Sequence, residues 1–101
     1  MKIKERLTQK IYPDKWEALE ALDQKYNQLE SAAGFPPKTR YQLMLSSKSI
    51  NTLVVEREWE SLATMEAAYE KMFANPEWHA LNAEGSAVIK DNYTEILMPL
   101  P

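Results

Sequence analysis

Cysteine is absent from the chain, and only two glycines and one histidine occur in its 101 residues. Without a thiol there is no disulfide, no thiolate nucleophile, no Cys-ligated zinc and no iron–sulfur cluster. A lone histidine, His79, excludes a multi-histidine metal site, and no carboxylate–histidine spacing suggests another. Gly34 and Gly85 are too few and too far apart for a phosphate-cradling loop, which excludes a P-loop or a Rossmann turn. No apolar run approaches the roughly 18 residues of a membrane span. The opening Met1-Lys2-Ile3-Lys4-Glu5-Arg6 stays charged where a signal peptide turns apolar. An excess of positive charge is missing too, with 12 Lys and Arg against 15 Asp and Glu for a net charge of -3. Nucleic acid is therefore not an expected partner, because phosphate binding needs clustered cations. These absences predict a cytoplasmic protein with no membrane or nucleic-acid partner, no metal and no cofactor.

What is present favours a globular core: 45% of residues are apolar, including three Trp, five Tyr and two Phe. The length fits one domain spanning residues 1–101. A chain this small buries only about 60–65% of its unfolded surface, and pairing with a second copy is one remedy. Charge is unevenly placed. Lys2, Lys4, Arg6 and Lys10 crowd the first ten residues, while Glu56, Glu58, Glu60, Glu66, Glu70 and Glu77 dominate residues 56–79.

Residues 3–12 read as a strand with Ile3, Leu7 and Ile11 in one period-2 register, interrupted by Glu5 and Gln9 on the same face. Pro13-Asp14-Lys15-Trp16-Glu17 predicts a helix start with Asp14 as cap and Glu17 reaching back to it. Trp16, Leu19, Leu22, Tyr26, Leu29 and Ala33 follow at three- and four-residue steps as one apolar stripe. Gly34 suits a left-handed C-cap, and Pro36-Pro37 forbids continuation. Residues 40–46 and 52–59 predict a hairpin in which Leu53-Val54-Val55 is apolar on both faces and needs a cover on each. Ser61 caps a second helix with Leu62, Met65, Ala68 or Tyr69, Met72 and Phe73 as its stripe. Asn75-Pro76 starts a short extension that Gly85-Ser86 ends, and residues 93–98 form the last strand. This order predicts an α+β, ferredoxin-like split β-α-β sandwich: β-α-β-β-α-β, a four-stranded antiparallel sheet with helices on one face.

The stretch Val54-Val55-Glu56-Arg57-Glu58-Trp59-Glu60-Ser61, a helix, and then Asn75-Pro76-Glu77-Trp78-His79-Ala80-Leu81 resembles the dimeric α+β barrel superfamily. It is most similar to the NIPSNAP-like branch, in which strand three ends in a Trp leading into helix two and a Pro-Glu-aromatic turn follows. The first strand's Lys4-Glu5-Arg6-Leu7 matches that branch only loosely. The resemblance implies a homodimer whose two sheets pack face to face around a cavity. Other members of the superfamily include cofactor-independent monooxygenases of antibiotic biosynthesis and haem-degrading oxygenases. The Asn, Trp and His of the haem degraders have no matching positions here.

If Leu53, Val55 and Trp59 face the helices, Val54, Glu56 and Glu58 face the space between the sheets. The same alternation turns Tyr41, Leu43 and Leu45 to the helices and Arg40, Gln42 and Met44 to that space. Arg40, Gln42, Met44, Val54, Glu56 and Glu58 are thus the candidate ligand-binding residues, with Arg40 as anchor for an anionic group. The plainer reading makes their charges intersubunit salt bridges. A one-residue slip in register exchanges the faces. His79, Arg40 and Glu58 are the candidates for catalysis; the plainer reading of His79 is a helix-capping residue beside Trp78. The expected function is that of a homodimeric NIPSNAP-like protein binding a small, partly apolar molecule between the sheets. The alternative is a cofactor-independent monooxygenase.

Overall fold

A computed structural model of the chain describes residues 1–44, 46 and 49–101. The elements run β1 (Ile3–Ile11), α1 (Trp16–Ala32), β2 (Thr39–Gln42), β3 (Thr52–Trp59), α2 (Leu62–Phe73), α3 (Pro76–Gly85) and β4 (Ile89–Leu97). The strands form one antiparallel sheet in the order β2-β3-β1-β4, with β1 and β3 central. This is the expected ferredoxin-like α+β arrangement, the helical extension forming its own element, α3.

Several element ends follow from single residues. Ser61 accepts from the Thr64 amide at 3.1 Å, and Asn75 accepts from the Glu77 amide at 3.0 Å with Pro76 following it. Each satisfies one of the free amides of a first helical turn. Gly34 adopts φ +84° just beyond α1, a backbone that Cβ-bearing residues avoid. Asp14 does not cap α1. Lys15 occupies the N-cap position, no side chain bonds there, and the Lys15 amide is held by the Tyr12 carbonyl in a turn.

Odd-numbered residues of β1 and β3 face the helices. Leu7 opposes Val55 and Ile3 opposes Trp59, so apolar side chains of both strands enter one layer. Leu19 of α1 packs on Ile11, Leu53, Val55 and Val88. Ala68 of α2 packs on Ile3 and Trp59, and Leu22 and Leu29 of α1 pack on Leu81 of α3. The α2 stripe is narrower than its spacing predicts, since Leu62 and Phe73 remain exposed. Lys4, Arg6, Val54, Glu56 and Glu58 occupy the opposite, open face, as expected for β3.

The expected register of β2 is wrong by one residue. Arg40 opposes Val55 and Tyr41 opposes Val54, so Arg40 lies on the helix side and Tyr41 on the open face. The apolar alternation misled because β2 is only four residues long and ends at Gln42. Leu43 and Met44 lie beyond it, and Leu45 falls outside the described residues. An edge strand is held by its pairing and charges as much as by apolar burial, and Arg40 finds Glu20 and Asp23 on α1.

Candidate functional site

A cleft of about 210 Å³ lies between the helices and the sheet. Leu7, Leu53 and Val55 form its floor, and Leu22, Met72, Phe73 and Trp78 close it from above. It opens toward β4, where Asn92 and Thr94 are exposed and no helix covers the strand. A second, more open groove of about 330 Å³, lined by Gly85, Ser86, Lys90 and Asp91, adjoins it. Gln9, Tyr26, Asn82, Ile89 and Asn92 border both spaces.

The closed end of this layer is saturated with bonds. Glu5, buried on the helix side of β1, accepts from Trp59 Nε1 at 3.1 Å and from the Tyr69 hydroxyl in a short bond. Burial, together with that carboxylate, pushes the Tyr69 hydroxyl far above the usual phenol range. Beside them Arg57 donates through Nε to the Pro36 carbonyl at 3.0 Å and through Nη2 to Glu30. Lys38 bridges Glu30 at 3.1 Å and Asp23 at 2.6 Å. Arg40 grips Glu20 with two bonds, at 2.9 and 2.7 Å. That grip holds the Glu20 carboxyl below its usual range and raises Arg40 in turn. The Arg40 Nε makes no hydrogen bond and sits 3.7 Å from Asp23.

At the open end the polar groups behave differently. The carboxamides of Gln9, Asn82 and Asn92 and the hydroxyl of Tyr26 make no hydrogen bond within the described chain. Burial and the charges of Glu30 and Glu84 raise the Tyr26 hydroxyl, so it stays a donor.

The residues expected to bind or catalyse are not gathered into one place. Arg40 bonds Glu20 on the helix side, which corrects its expected position between the sheets. Gln42 shares that side, and its Nε2 donates to the Ile50 carbonyl at 3.1 Å. Met44 follows β2 and is exposed. Val54, Glu56 and Glu58 do share the open face, where Glu56 accepts from Arg6 Nε at 2.9 Å and Glu58 lies 3.4 Å from Lys2 Nζ. His79, on α3, has Nε2 3.1 Å from the Phe73 carbonyl and its ring edge-on to Trp78, the helix-end role of its plainer reading. It does not line the cleft, and Glu58 and Arg40 are on opposite faces of the sheet. Of the cleft's uncharged polar residues only Gln9 leaves a signal in the sequence, since it and the buried Glu5 break the apolar alternation of β1. That break was the available signal.

No family model matches the sequence, and no curated protein matches it. Solved structures do match. An uncharacterized NIPSNAP-like domain protein from Burkholderia xenovorans superposes with a TM-score of 0.81 at 14% identity, over 98% of this chain and 85% of that one. This chain has a NIPSNAP-like fold. A NIPSNAP family protein from Agrobacterium tumefaciens gives a TM-score of 0.79 at 16% identity, over 98% of this chain and 86% of its own. SnoaB, a cofactor-independent oxygenase from Streptomyces nogalater, gives 0.69 at 13% identity, over 99% and 94%. At such identities the likeness is one of fold, so the NIPSNAP-like fold of this chain carries no substrate or reaction with it.

Proposed function

We propose that this protein is a NIPSNAP-like homodimer that binds a small, partly apolar molecule in the cleft between its helices and its sheet. The carrying observation is the contrast inside that cleft, where apolar and aromatic walls meet four polar side chains that bond nothing among the described residues. Small-molecule sites are built in this way, with an apolar lining and a few placed polar groups. The ligand is placed on the helix side rather than between the sheets because the open-face carboxylates are already engaged. Glu56 is paired with Lys4 and Arg6, and Glu58 with Lys2. Native mass spectrometry of protein purified from its source is expected to find a retained small molecule, absent from a Leu22→Trp variant that fills the cleft. A wild-type protein that is empty in every preparation overturns the reading.

The homodimer rests on the open face, where Val54 and Tyr41 have no second layer among the described residues. Sedimentation at micromolar concentration is expected to give twice 11.7 kDa, and a clean 11.7 kDa species overturns it. The second reading, a cofactor-independent monooxygenase acting on an aromatic or polyketide-like substrate, is favoured by the fold shared with SnoaB. Against it, the two carboxylates lining the cleft, Asp23 and Glu30, are already engaged by Lys38 and Arg57. Oxygen uptake with a hydroxylated polycyclic aromatic tests it directly.

A further inference from the structure

We infer that Gln9, Asn82 and Asn92, with Tyr26, form a neck that selects an uncharged, two-part ligand, its apolar body in the inner cleft and its polar extension in the outer groove. This inference rests on the ligand-binding reading above and specifies what that site accepts.

The placement of the four residues comes first. Gln9 and Asn92 are cross-strand partners on the helix-facing side of β1 and β4, so their side chains stand next to each other. Asn82 reaches the same spot from α3 and Tyr26 from α1. All four, together with the apolar Ile89, border both the inner cleft and the outer groove, so a molecule occupying both lies against them. Gly85 stands beside Tyr26, where an added Cβ would make ordinary contact at 3.8 Å from the Tyr26 hydroxyl and 3.4 Å from Leu22.

Volume argues for a ligand that spans the neck. The inner cleft, at about 210 Å³, is smaller than the about 300–1,000 Å³ usual for small-molecule sites. The adjoining groove, about 330 Å³, supplies the missing room.

The chemistry of the neck argues for neutrality. Each carboxamide offers two N–H donors and a carbonyl acceptor with no net charge, and the protonated Tyr26 adds a hydroxyl. A ketone, amide, lactam or alcohol edge meets both donors and acceptors there. A carboxylate or phosphate would lose its hydration at the neck and meet no free cation. Lys38 and Arg57, the cations lining the inner cleft, are already engaged with Asp23, Glu30 and the Pro36 carbonyl. Lys90 lines only the outer groove. An anion therefore pays desolvation without compensation.

Two probes sharing one ring test this: 2-naphthamide and 2-naphthoate, titrated calorimetrically into the intact protein. The amide is expected to bind at least about tenfold more tightly, since only the carboxylate must shed a charged hydration shell. An N-(3-hydroxypropyl) extension of the amide is expected to tighten binding further by reaching the outer groove. The double substitution Asn82→Leu and Asn92→Leu, at exposed positions, is expected to erase the preference for amide while both probes still bind. Equal affinity for the two probes, or tighter binding of the naphthoate, overturns the neutral-neck inference and leaves the cleft as a binding site. No gain from the extension overturns the two-part ligand. Failure of both ring probes to bind overturns the inference together with the cleft reading.

Discussion

Under α2, the side chains of Glu5, Trp59, Tyr69, Arg57 and Glu30 bond one another, Lys38 and the Pro36 carbonyl; under α3, beside β4, the carboxamides of Gln9, Asn82 and Asn92 bond nothing among the described residues. Both groups lie in the same layer between helices and sheet. Strands β1 and β3 contribute Glu5 and Arg57 as cross-strand partners at the first end, and β1 and β4 contribute Gln9 and Asn92 in the same relation at the second. Polar groups that are buried and fully bonded rigidify a fold, whereas groups held in place but unbonded are free for a ligand. Bonded polar groups are thus concentrated at one end of the layer, and the proposed recognition site lies at the other.

The largest effect is expected from Trp59→Ala. This side chain is 1% exposed, bonds Glu5 and stands edge-on to Phe35 with ring centres 5.0 Å apart. Its loss should cost about 3–5 kcal/mol in chemical denaturation. A cost below about 1 kcal/mol would remove the distinction between the two ends, because surface changes cost no more.

Next comes Tyr69→Phe, which deletes a bond to the Glu5 carboxylate and should cost about 1.5–3 kcal/mol. It carries a pH signature as well. The Tyr69 hydroxyl is raised in the folded protein above its ordinary value of 10.0, so its contribution is fully present below pH 10 and declines as the pH rises beyond it. Stability of the wild type should therefore fall above pH 10, and more gently in Tyr69→Phe. Alkaline denaturation curves of equal slope would contradict this.

Arg40→Ala sharpens the comparison from the side, because its bonds to Glu20 are exposed. The expected cost is about 0.2–1 kcal/mol, lowered by added salt, with ligand retention unchanged. Lost retention would return Arg40 to the site. The smallest effect belongs to Asn82→Ala and Asn92→Ala, each expected within about 0.5 kcal/mol of wild type by thermal denaturation. A larger loss would mean that these amides hold the fold after all.

Much of the fold was legible because its signals are local. The stripe from Trp16 to Ala33, the Ser61 cap and the Asn75-Pro76 start each lie within a few residues of sequence. Asp14 is no cap: a turn from Tyr12 to Lys15 precedes α1, and the helix starts one residue later with Lys15 at its N-cap. The β2 face failed because pairing with β3 and an ion pair to α1, neither visible locally, set its register. The cleft was hidden for a related reason. Its polar groups come from β1, α1, α3 and β4, far apart in the chain, and uncharged amides form no motif. Only the odd presence of Glu5 and Gln9 on an apolar strand face marked it, and the two proved to stand at opposite ends: one locked into the core, the other left at the mouth.

Strand β4 pairs with β1 along one side and, among the described residues, with no strand on the other. With nine residues it is the long edge of the sheet, whereas β2, the other edge, has four. A long flat edge invites addition of a foreign strand and, in the end, fibre growth. This one is guarded by composition. Lys90, Asp91 and Glu95 place charge along it, its register shifts where Lys10 meets Ile11 on β1, and Pro99 and Pro101 lack the amide that a further ladder would need. The same side that leaves the cleft open is thereby kept from becoming a template for polymerisation.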